Sequence, residues 1–91
     1  MSRRVQRNRA LFKEQVMKNY KYTVIIEPAE EGGYFATCPA LEGCVTQGDT
    51  YEETLSNIQE AITAYIESLK KHNEPIPDDV EVKVQSVQVA A

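Results

Sequence analysis

No stretch of the sequence approaches the roughly 20 consecutive apolar residues that a bilayer-spanning helix needs. The N-terminus has no apolar core of the kind that marks a secretory leader; it is basic and polar instead. A cytoplasmic location is the expectation, with no membrane partner. Histidine occurs once, as His72, and cysteine twice, as Cys38 and Cys44. A structural zinc site usually takes four such ligands, so no metal is expected. The two cysteines can form a disulfide if they lie on neighbouring strands. In a reducing compartment they are expected as thiols, acting as small core hydrophobes. Glycine is sparse too, and Gly32-Gly33 lacks the strand–Gly-x-Gly–helix setting of a phosphate loop. No cofactor is expected. There is no internal repeat and no low-complexity tract.

What is present is enough for one small domain. A chain of 91 residues can build a modest two-layer core, and a second copy would add to its marginal stability. Charge is unevenly placed. Residues 1–18 hold six Lys/Arg against Glu14, a net +5, whereas residues 19–91 hold four lysines against thirteen acids, a net −9. The body is thus a poor match for a polyanion and a fair match for a basic protein. The head, residues 1–17, has Val5, Leu11, Phe12 and Val16 at loosely helical spacing, which reads as a short amphipathic helix or a tail. Met17 also offers a second translation start, which would make 1–16 an extension. Nucleic-acid binding by the head would rest on electrostatics alone, because no aromatics are interleaved there.

Residues 20–27 are rich in β-branched and aromatic types, with Tyr20, Tyr22, Val24 and Ile26 on one face, and predict a strand. Glu30-Glu31-Gly32-Gly33 predicts a hairpin turn. Tyr34 to Cys38 is a second strand and Cys44 to Gln47 a third, joined by the Pro-Ala-Leu-Glu-Gly loop 39–43. Thr50 and Glu53 form a capping box ahead of a helix whose apolar stripe runs Leu55, Ile58, Ala61/Ile62, Tyr65/Ile66, Leu69. Asn73 and Pro75 stop it near residue 72. Val80, Val82 and Val84 alternate with polar residues and predict a final strand, but Val87 and Val89 change parity. That change implies a bulge, or pairing with something else. The order β-β-β-α-β predicts an α/β (α+β) two-layer sandwich, a mixed sheet with one long helix on one face. The sheet's other face is left partly open, as in small proteins that dimerise.

The run Tyr20-Lys21-Tyr22-Thr23-Val24-Ile25-Ile26-Glu27-Pro28 opens a series of short matches. It continues through Glu31-Gly32-Gly33-Tyr34, Cys38-Pro39-Ala40-Leu41-Glu42-Gly43-Cys44-Val45, Gln47-Gly48-Asp49-Thr50 and Glu52-Glu53. Asn57-Ile58 and Glu60-Ala61-Ile62 complete it in the helix. In order and spacing, the series resembles the HicB antitoxin domain over about residues 20–77. The resemblance implies 1–17 as an extension, 18–91 as a HicB-like domain, and a partial ribonuclease-H-like fold. It further implies that the domain binds and neutralises HicA, a small basic toxin that cleaves messenger RNA. Many such proteins carry a C-terminal DNA-binding module. The stretch after residue 77 is too short for one, so DNA binding by that route is not expected.

Glu27, Glu52, Glu53 and Glu60 do not fall into a metal-converging set, and His72 has no nucleophile near it, so an enzyme is not expected. The stiff loop 39–43 and the hairpin suit a protein interface. Tyr34, Pro39, Leu41, Glu42 and Gly43 are the predicted partner-binding residues. Glu30, Glu31, Glu42 and Asp49 would steer a basic partner. The predicted function is an antitoxin acting on a HicA-like toxin, within a homo-oligomer. The alternative is a HicB-like homodimer with no toxin.

Overall fold

The computed structural model describes residues 19–91. The head, read as a helix or a tail, lies outside the described residues. Three strands, β1 (Ile25–Pro28), β2 (Tyr34–Thr37) and β3 (Val45–Gly48), form an antiparallel sheet in the order β1-β2-β3. One helix, α1 (Tyr51–Lys71), follows and covers one face. This is the expected α+β architecture.

Two tight turns and two glycines set this geometry. Ile25 pairs with Thr37 and Pro28 with Tyr34, so the hairpin register closes over residues 29–33. The turn is held by the Gly32 N–H donating to the Ala29 carbonyl at 3.1 Å and the Ala29 N–H donating to the Gly33 carbonyl at 3.0 Å. Gly33 has φ +75°, and a Cβ there would stand 2.5 Å from the Gly48 carbonyl oxygen. Only glycine meets both demands. Gly48 lets the helix dock, because a Cβ there would come within 2.7 Å of Thr54 Oγ1 and 2.9 Å of its backbone nitrogen. Thr54 is fully buried, and its hydroxyl donates to the Thr50 carbonyl at 2.7 Å.

The helix starts and stops where its residues dictate. The Thr50 hydroxyl accepts the Glu53 N–H at 3.0 Å, while Glu53 accepts the Asp49 N–H at 2.7 Å. Two orphan donors of the first turn region are thereby met. At the other end Asn73 adopts φ 55°, the Asn73 N–H donates to Lys70 O, and the Glu74 N–H donates to Leu69 O. That is the Schellman pattern, and Lys70 and Lys71 complement the negative end of the helix dipole. The core lies between helix and sheet: Ala36, Cys38, Leu41, Cys44, Ile58 and Ile66, fringed by Tyr20, Tyr22, Val24 and Ile26.

Three expectations need correction. The strand expected over 20–27 is paired only from Ile25, because β2 ends at Thr37 and its chain turns away; Tyr20, Tyr22 and Val24 still lay alternate side chains on the core. Leu55 is 37% exposed rather than central to the buried stripe, because close docking at Gly48 gives that place to Thr54. Residues 80–85 form no strand with this sheet, which is therefore wholly antiparallel, not mixed. Val84, Val87 and Val89 are 90%, 75% and 78% exposed, so nothing in the described chain pairs with them or covers them.

Candidate interaction site

The loop 39–43 is a rigid bridge between β2 and β3. The Cys38 N–H donates to Cys44 O, Leu41 N–H to Cys38 O, and Cys44 N–H to Leu41 O, each at 3.0 Å. The Tyr65 hydroxyl donates to Glu42 O at 2.9 Å, tying the loop to the helix. Leu41, expected to be presented to a partner, is only 1% exposed; its side chain fills the core beneath the loop. Pro39, Glu42 and Gly43 are exposed. Cys38 and Cys44 are free thiols buried at the loop's base. Burial pushes both thiols above their ordinary pKa, with each other's charge adding to the rise for Cys44. They are protonated, packed side chains.

Tyr34 lies at the opposite end of β2. Pro39 lies five residue steps further on, up to roughly 17 Å away along extended chain, so the predicted binding residues fall into two patches. The Tyr34 ring meets Tyr51 edge-on, with centroids 6.2 Å apart at 84°. Tyr51 opens the helix and is 49% exposed. Sequence reasoning did not pick out Tyr51. The only signal for it was an aromatic residue next to the helix cap, two positions beyond Asp49. Because Gly33 packs against Gly48, the acidic hairpin turn and the acidic helix start share this end of the molecule. Glu30, Glu31, Asp49 and Glu52 are all exposed there. The result is a half-exposed tyrosine pair among four carboxylates.

Asp79, Tyr22 and His72 serve the structure. Asp79 accepts from the Thr23 N–H at 2.9 Å and from its hydroxyl at 2.7 Å, which holds its carboxyl below the usual range. The Tyr22 hydroxyl donates to Pro77 O, and burial raises its pKa. His72 donates its ring Nδ1–H to Ser68 O at 2.8 Å as part of the helix end. Among the described residues no three His, Cys, Asp or Glu gather as a metal-holding group. None of their helices is long and apolar enough to cross a membrane.

The sequence profile described as "HicB_like antitoxin of bacterial toxin-antitoxin system" matches residues 22–90. The chain belongs to the HicB-like antitoxin family. The UPF0150 protein Ta0767 of Thermoplasma acidophilum is 66% identical over 59 residues, 65% of this chain and 86% of that protein. The UPF0150 protein ssr1765 of Synechocystis is 52% identical over 71 residues, 77% of this chain and 90% of that protein. Antitoxin HicB 1 of Photorhabdus laumondii is 44% identical over 62 residues, which is 68% of this chain but 40% of that antitoxin. The similarity to this longer HicB protein is thus confined to less than half of its length, while the shorter relatives are matched over most of theirs. Membership of the HicB-like family supports an antitoxin role in a toxin–antitoxin system.

Proposed function

We propose that this chain acts in the cytoplasm as a non-catalytic antitoxin that neutralises a small, basic HicA-type toxin by direct binding. The observation that carries this reading is the surface at the hairpin end, where Tyr34 and Tyr51 stand edge-to-face among exposed Glu30, Glu31, Asp49 and Glu52. Tyrosines supply rigid contact area at low entropic cost, and a ring of carboxylates selects a basic partner and speeds its approach. Pro39, Glu42 and Gly43 form a second, separate contact surface on the loop. Leu41 supports that loop from beneath.

The test is co-expression with the small basic protein encoded beside this one, reading growth rescue and co-purification. Rescue with a stable complex is expected. Replacing Tyr34 and Tyr51 with alanine should cost about 2 kcal/mol or more of binding, roughly 30-fold in Kd. Rescue without any effect of the tyrosine pair would move the contact to the loop, where Glu42→Lys is the matching probe. No rescue and no complex would favour the alternative of a homodimer without a toxin.

A further inference from the structure

Cys38 and Cys44 stand where two thiols can join with little movement of the chain. β2 and β3 pair in the register Thr37↔Val45, so the next step along both chains sets Cys38 opposite Cys44. The Cys38 N–H donates to Cys44 O at 3.0 Å, as at a hydrogen-bonded position of an antiparallel ladder. Cα atoms at such a position lie about 5.5 Å apart, inside the range of roughly 4.4–6.8 Å that a disulfide spans. Both side chains turn to the same side of the sheet, into the core, at 2% and 5% exposure. They are the chain's only cysteines, and both are free.

The two sulfurs are not equivalent. The chain turns at once after Cys38, with the Leu41 N–H donating to Cys38 O at 3.0 Å. That turn also aims the Leu41 and Ala40 backbone amides at the Cys38 sulfur. Burial raises the Cys38 pKa, and these two amides work against the rise by hydrogen-bonding the thiolate. For Cys44, burial and the charge of Cys38 both raise the pKa. The thiolate is the attacking species in disulfide exchange, so Cys38 is equipped to attack first and Cys44 to follow.

We propose that Cys38 is a thiol-modification site resolved by Cys44, so that a low-molecular-weight disulfide of the glutathione type converts the pair into a cross-strand bond. In the first step the Cys38 thiolate attacks one sulfur of the small disulfide, whose S–S bond breaks and releases one small thiolate. In the second, deprotonated Cys44 attacks the Cys38 sulfur of the mixed disulfide and releases the other. One small disulfide is thus reduced to two small thiols, and two protein thiols are oxidised to one disulfide. The two protein protons pass to the departing thiolates. Both thiols are buried, so exchange waits on brief opening of the loop 39–43 at whose base they sit. Disulfides in reducing compartments are mostly transient and redox-sensing, and this one staples the loop's base when the small-thiol pool turns oxidising. The staple does not depend on the antitoxin reading.

Intact-mass measurement on the full chain, acid-quenched from glutathione buffers of graded oxidation, tests this. The expected product is lighter than the reduced chain by two hydrogens and takes up no iodoacetamide after unfolding. Because the strands hold the sulfurs opposite each other, the native chain should be oxidised at least about tenfold more favourably than the chain in concentrated urea. Cys44→Ser should stop with glutathione on Cys38, while Cys38→Ser should take up glutathione at least about tenfold more slowly. The wild-type comparison decides the staple even where a serine variant fails to fold. A native chain that keeps both thiols in glutathione disulfide would overturn the proposal. So would one that stops at the mixed disulfide, or one oxidised no more favourably than the unfolded chain. Equal rates for the two serine variants would overturn Cys38 as the site of first attack.

Discussion

Leu41 shows how one side chain can change its meaning once its surroundings are known. On the sequence it is the most apolar residue of a short stiff loop, the usual profile of an exposed anchor. In the fold it is all but fully buried, and the loop's three backbone hydrogen bonds close around it. Its role is to hold Pro39, Glu42 and Gly43 in place from beneath. Leu41→Ala should therefore cost about 3 kcal/mol of folding stability, as large-to-small core changes do. Urea denaturation measures this. Toxin affinity, compared at a temperature where both proteins are folded, should change much less. A large affinity loss with little loss of stability would return Leu41 to the interface.

At the scale of elements, the helix was legible almost to the residue, because its limits are set locally. Thr50, Glu53 and Asn73 each act on backbone groups within five positions. The hairpin was legible for the same reason. What could not be read depends on distant partners. The first strand's paired length is set by where β2 ends, and residues 80–85, despite their alternation, pair with no strand among the described residues. The site behaved likewise: Tyr34 was visible in the hairpin, but its contact with Tyr51 exists only because the helix start folds back against the turn. The docking of that helix start gives a test. Thr50→Ala removes a cap and should cost about 1 kcal/mol. Gly48→Ala should cost more, about 1–3 kcal/mol, because the new methyl group meets the Thr54 backbone and pushes the whole first turn away. The order of the two, measured by chemical denaturation, is the check: a Gly48→Ala variant as stable as wild type would mean that the helix start is not docked as described.

At the scale of the whole molecule, the decisive quantity is the −9 charge of residues 19–91, set against the +5 of residues 1–18. The basic toxin proposed as partner would meet, on approaching the described body, a field that attracts it from beyond contact distance. Such steering acts on encounter, and it is screened over about 8 Å at physiological salt. The proposed tyrosine contacts would act only after docking, where salt has little effect on them. The two contributions should therefore separate in kinetics. Raising ionic strength from about 0.02 to 0.5 M should lower kon by about tenfold or more while leaving koff nearly constant. Glu30→Lys with Glu31→Lys should reproduce much of that loss at low salt and flatten the salt dependence. Tyr34→Ala should instead raise koff and leave the salt slope as it was. If charge reversal at the hairpin raised koff alone, those carboxylates would be contacts within the interface. If it changed neither rate, the toxin would be docking at the far end, on the loop, and the acidic hairpin would serve only solubility.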